Sequence, residues 1–172
     1  MDFEVSHEID APLDTLELAL MSPDLASELQ RRVPSMAAIT VQSHEVTDEQ
    51  IQRTWRFEAK APLKILSAYD VTREMMIWDE VWDYSRTTHI AEFHIVPRPG
   101  VDLDANWRKR IRSGGRYQLD PLSDGRCRRT VVGRMDIDLR MIGPVVERVA
   151  VAEMRKAYAA EAEALLSLCS LV

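Results

Sequence analysis

The stretch whose reading decides the fold is Gly114–Val149, GGRYQLDPLSDGRCRRTVVGRMDIDLRMIGPVVERV. Two runs, Ile111 to Leu122 and Arg126 to Leu139, carry the alternation of a half-buried strand. Between them Ser123-Asp124-Gly125 supplies an Asp-Gly turn, a strong hairpin signal because glycine takes the left-handed backbone at no steric cost. Gly143-Pro144 then breaks the sheet pattern. From there the chain runs to Val172 without Gly or Pro, rich in Ala, Glu and Val, which predicts one long helix with Pro144 in its first turn.

Working outward from this hairpin and helix, the upstream chain repeats the hairpin theme. Met75 to Tyr84 and Thr87 to Val96 form a strand pair around Ser85-Arg86, and Met36 to Val46 and Gln50 to Lys60 form another joined at Thr47-Asp48-Glu49. Phe3 to Ile9 (FEVSHEI) alternates as a first strand. Pro12 opens a short helix, Ser22-Pro23 restarts a second as cap and first helical residue, and Pro34 ends it. Pro62 to Tyr69 reads as a turn or two of helix, and Pro97, Pro99 and Gly100 as a loop. Seven antiparallel strands in hairpins, with helices at both ends, mean an α+β fold in which residues 1–172 make one domain.

Composition narrows the classes. The chain is 46% hydrophobic and 29% charged, an ordinary globular balance, with a net charge of −6 that argues against a nucleic-acid binder. The charge is uneven: Arg98 to Arg140 holds 11 Lys and Arg against 6 Asp and Glu, +5, leaving −11 elsewhere. Such a basic region is either a solvated sheet face or a surface for an acidic partner. Cys127 and Cys169 match no metal or redox spacing, so a reducing compartment is expected. The acidic opening MDFEVSHEID is unlike a signal peptide, no apolar run approaches membrane-spanning length, and a cytoplasmic protein is expected.

The order of elements, and the features of Gly114 to Val149 in particular, resemble the START-like helix-grip superfamily, which includes polyketide cyclases, plant pollen-allergen proteins and lipid-transfer domains. The opening FEVSHEIDAPLDTLELAL looks like the superfamily's first strand and helix. The resemblance implies a curved sheet of about seven strands wrapped around a long C-terminal helix, two short helices after the first strand, and a pocket between sheet and helix. It says little of function, because binders, transporters and a few enzymes share the fold.

Alternation then predicts which side chains face that pocket. The more apolar parity puts Phe3, Val5, His7 and Ile9 inside, followed by Ile51, Arg53, Trp55 and Phe57. Next come Met76, Trp78, Glu80, Trp82 and Tyr84, then His89, Ala91, Phe93 and Ile95, then Tyr117 and Leu119, and last Val131, Gly133, Met135 and Ile137. Arg112, Arg116, Arg126, Arg128 and Arg134 fall outside. On the closing helix, at about 100° per residue, Val146, Val149, Ala150, Ala157, Ala160, Ala164 and Leu168 share one face with Glu153. Four alanines bury little volume, which leaves room for a cavity or permits tight packing on the sheet.

Five inward polar residues, His7, Arg53, Glu80, His89 and Tyr117, admit two readings. Arg53 and Glu80 make a structural ion pair with two satisfied histidines, or some of the five orient a ligand in an apolar pocket. Glu153 either joins the Arg53 network or touches ligand. Trp55, Trp78, Trp82 and Met76 supply an aromatic wall, Phe93, Met135 and Ala157 line the cavity with them, and Trp107, among Arg108, Lys109 and Arg110, either folds over the mouth or makes transient membrane contact. No HExxH, CxxC, phosphate-cradling loop or GxSxG occurs, so no cofactor or metal is expected. The expected function is binding or carrying a hydrophobic or amphipathic small molecule, a lipid, polyketide or isoprenoid-like compound. A cyclase/aromatase-type enzyme using an inward His or Glu, and an interaction module using the outer arginine face, are the alternatives.

Overall fold

The computed structural model describes residues 1–60, 76–97, 110–138 and 143–171. The expected helical piece at 62–69, the loop around Pro99 and Gly100, and Trp107 with Arg108 and Lys109 lie outside the described residues. The elements are β1 (Asp2–Ile9), α1 (Leu13–Met21), α2 (Leu25–Arg32), β2 (Met36–Val46), β3 (Gln50–Ala59), β4 (Ile77–Ser85), β5 (Ile90–Pro97), β6 (Ile111–Pro121), β7 (Cys127–Ile137) and α3 (Gly143–Cys169). The seven strands form one antiparallel sheet in the order β1-β7-β6-β5-β4-β3-β2, with the first strand pairing on the last. The described elements have the helix-grip α+β arrangement that the sequence predicts. None of their helices is long and apolar enough to cross a membrane.

Three local signals meet their structural reasons. The Asp124-Gly125 turn works as expected, with Gly125 at φ 78. Pro144 stands second in α3, where its missing N–H is one of the helix's unpaired donors in any case. The second helix starts later than the Ser22-Pro23 reading predicts: it opens at Leu25 behind Asp24, while the Ser22 hydroxyl accepts from the Asp24 N–H at 3.2 Å and forms a turn instead.

The β4–β5 connection is longer than Ser85-Arg86. Four residues, Arg86 to His89, make the turn, and β5 begins at Ile90 rather than Thr87. His89 ends that turn in the left-handed region, φ 58, where a non-glycine residue is uncommon. Its N–H donates to the Ser85 carbonyl at 2.8 Å and its own carbonyl accepts from Leu119 N–H at 2.9 Å, so both neighbours hold the geometry.

The inner parity is otherwise as the alternation requires. Phe3, Val5, Ile9, Ile51, Trp55, Phe57, Tyr84, Ala91, Tyr117, Leu119, Val131 and Ile137 are buried. The helix α3 crosses this concave face and packs on α1, α2, β7 and β1. At its C-terminal half Ala160, Ala164, Leu165 and Leu168 are buried against that core, whereas Ala150 and Ala157 nearer its start are only half-buried. The stripe therefore does both of the things alanine allows. It packs tightly at one end and leaves space at the other.

Candidate functional site: a cavity beneath the closing helix

The space lies between β3, β4 and β7, the first half of α3, and the end of α2. It measures about 250 Å3. Its walls are mostly apolar, with Leu29, Val33, Phe57, Trp78, Met135 and Met154 among them, and Phe57 and Trp78 stack at 5.6 Å between ring centroids with their planes 5° apart. Arg53, Glu80, Glu153, Tyr158 and Glu161 bring polar atoms to the lining.

Arg53 is 3% exposed, and a guanidinium so deep requires partners. Its guanidinium carbon lies over two indoles, 4.0 Å from the Trp55 ring centre and 4.2 Å from that of Trp82. Its Nη2 donates to Glu161 Oε1 at 3.1 Å. The other oxygen of Glu161 accepts from Arg129 Nη1 at 2.9 Å, so one carboxylate serves two buried cations. Arg129, with no accessible surface, also donates to His7 Nδ1 at 3.1 Å and to the Tyr158 carbonyl. Burial, with Arg129 beside it, holds the His7 imidazole below its ordinary pKa.

This corrects the expected Arg53–Glu80 pair. The β3–β4 register sets Arg53 opposite Trp82 and Glu80 opposite Trp55, so the two charges stand diagonally rather than facing each other across the strand pair. Among the described residues Glu80 makes no hydrogen bond or ion pair. It lines the cavity as a half-buried side chain yet lies deep among protein atoms, as a group on an inner wall does. Burial, assisted by the Glu161 charge and opposed by Arg53, pushes its carboxyl up to about 7. Of the two readings of Glu153, membership of the arginine network does not hold: it sits at the cavity wall with Oε1 accepting from Lys156 Nζ at 2.7 Å, and Glu161 is the acid of that network.

Of the residues singled out in the sequence, Arg53, Trp55, Trp78, Glu80, Met135, Glu153 and Ala157 line the cavity. Trp82, Tyr117 and Phe93 stand behind that wall in the packed core: Trp82 stacks on Tyr84 at 5.3 Å and meets Tyr117 edge-on at 5.6 Å, and Phe93 meets Tyr158 edge-on. His7 is a partner of Arg129 rather than a wall residue. His89 is nowhere near the cavity. The extended turn carries it to α1, where its Nδ1 lies 2.9 Å from Oε1 of Glu17, a buried acid that also accepts from the Tyr84 hydroxyl at 2.8 Å. That cluster ties α1 to the β4–β5 turn. On the outer sheet face, Arg126 and Arg128 pair with Glu8 across β7 and β1, and Arg134 with Asp2.

Sequence reasoning missed Glu161, Arg129, Tyr158 and His44. Arg129 shares the parity of Val131, and Glu161 lies one turn beyond Ala157 on the same helical face, so both were legible. His44 was not. A register shift between Val41 and Ser43 turns β2 over and sets His44 opposite Arg53.

The sequence matches no family model and no curated protein. Solved structures do resemble the fold along nearly its whole length. A protein from Thermus thermophilus is 12% identical with a TM-score of 0.64, covering 99% of this chain and 98% of that one. The Zhui aromatase/cyclase from Streptomyces sp. R1128 is 10% identical at TM-score 0.64, with 99% and 93% covered. Ara h 8.0201 is 13% identical at 0.61, with 97% and 98% covered. At these identities the likeness shows the fold, an α+β helix grip, and nothing finer.

Proposed function

We propose that this protein binds an apolar or amphipathic small molecule in the cavity between the sheet and α3. The observation that carries the reading is the change in α3 packing along its length: a solid core under Ala164, and a 250 Å3 space under Ala150 and Ala157. A void of that size holds roughly eight waters at about 30 Å3 each, and an apolar lining gives them few partners, so an apolar occupant is favoured. A wall acid whose carboxyl is pushed up to about 7 by burial also suits proton transfer, and one structural neighbour is an aromatase/cyclase. That cyclase reading stands second, since Glu80 has no partner that would orient it toward a reacting atom.

Paired substitutions on α3 test the proposal. Ala157→Leu should be nearly neutral in thermal unfolding, because the added methyl groups enter empty space, and should abolish most binding of the neutral dye Nile red. Ala164→Leu, at 0% exposure, should cost about 1–3 kcal/mol and leave dye affinity unchanged. Equal destabilisation by both, with dye binding intact, means the space is not where ligand goes.

A further inference from the structure

We propose that the inner end of the cavity receives the carboxylate of an amphipathic monocarboxylic acid, which takes hydrogen bonds from Arg53 and Trp55 and shares the proton of Glu80. This rests on reading the cavity as a ligand site and adds what the ligand's polar end must be.

The first ground is the chemistry of the unsatisfied atoms. Among the described residues, Arg53 Nε, Arg53 Nη1 and Trp55 Nε1 are buried without a partner, and Arg53 and Trp55 both line the cavity. All three are donors. A hydrocarbon occupant would leave them unpaired, whereas a small shift of the stacked Arg53 side chain brings them to an acceptor oxygen.

Charge is the second ground. The cluster holds two guanidiniums, Arg53 and Arg129, against one paired carboxylate, Glu161. With Glu80 protonated it carries one excess positive charge, which a ligand carboxylate cancels. A ligand amine paired with ionised Glu80 leaves that excess in place. Among the described residues, the other titratable groups around Glu80 do not alter the balance. From α3, Tyr158 is held in its neutral form by burial and by the Glu80 charge, and Glu153 is tied to Lys156. From β2 and β1, His44 and His7 are both kept below their ordinary pKa, first by burial and then by the neighbouring arginine. Ile95 of β5, paired opposite Glu80, Leu29 of α2 and Val33 just after that helix bring no charge.

A bound carboxylate stabilises the protonated form of Glu80, so binding takes up a proton. Affinity is then full below the free-protein value near 7 and is lost as pH rises through it. Octanoate, octanol and octylamine, matched in chain length, separate the cases in calorimetric titrations of the whole protein. Octanoate should bind the tightest of the three at pH 6 and weaken about tenfold by pH 8, with octanol flat. In Glu80→Gln octanoate should still bind, because the amide donates, but without pH dependence. Trp55→Phe should weaken octanoate several-fold and leave octanol unchanged. Octylamine tightening with pH and outbinding octanoate would overturn the proposal in favour of an amine held by ionised Glu80. Octanol and octanoate binding alike at every pH would also overturn it and leave the apolar-ligand reading standing. If none of the three binds, the cavity reading fails and this one with it.

Discussion

Glu161→Gln should destabilise the protein by about 3–5 kcal/mol, the largest effect expected of any single conservative change in the cavity region. The carboxylate is 4% exposed and is the shared partner of Arg53 and Arg129, themselves 3% and 0% exposed. Removing its charge strands two cations in a site where water cannot replace it. Stacking on Trp55 and Trp82 softens the loss for Arg53, but no aromatic contact substitutes for a counter-ion in a buried site. Urea unfolding reads the effect, and Glu163→Gln, two residues on and exposed, is the control that should stay within about 0.5 kcal/mol. If Glu161→Gln unfolds like that control, the two arginines find water or each other's surroundings sufficient, and the network is not buried as described.

Gly115→Ala should cost about 3 kcal/mol or more, for reasons of space alone. Gly115 of β6 faces Gly133 of β7 in register, and a methyl group on it would lie 2.1 Å from the Val132 carbonyl oxygen and 2.6 Å from the Gly133 Cα. Both are backbone atoms, so the clash is relieved only by bending the sheet. The pair of glycines lets β6 and β7 coil tightly enough to bring the Phe3 ring over Gly133 and the Phe93 ring over Gly115. Gly125→Ala makes a useful contrast, since it meets no atom within 4 Å and is strained only through its φ of 78. It should lose less than Gly115→Ala in the same unfolding experiment.

Much of this architecture was legible because sheet parity and helix period are short-range rules. Once Asp124-Gly125 fixes the last hairpin and Pro144 the start of α3, the alternation of β1, β3, β5 and β7 sorts core from surface nearly residue by residue. The site was read less well, and each failure has its own cause. On strand parity the nearest acid of opposite sign to Arg53 is Glu80, but its partner comes from α3, 108 residues further along the chain, and only the fold brings it there. Arg129 was hidden beside Arg128 in a run that reads as surface basicity, although its parity is that of Val131. His89 moved away from the cavity wall because a four-residue turn took it from the strand, and His44 comes to stand opposite Arg53 because a bulge turned β2 over. Turn length and bulges shift side chains between faces without leaving a periodic trace.

The claim that an apolar molecule occupies the space under Ala150 and Ala157 is tested most directly by locating a bound one. Isotope-filtered NMR on the labelled protein with unlabelled octanol should give through-space contacts from the alkyl chain to the methyl groups of Met135, Met154, Ala150 and Ala157 together. Contacts confined to exposed apolar side chains such as Val41 and Val132, with those four methyl groups silent, would contradict the account.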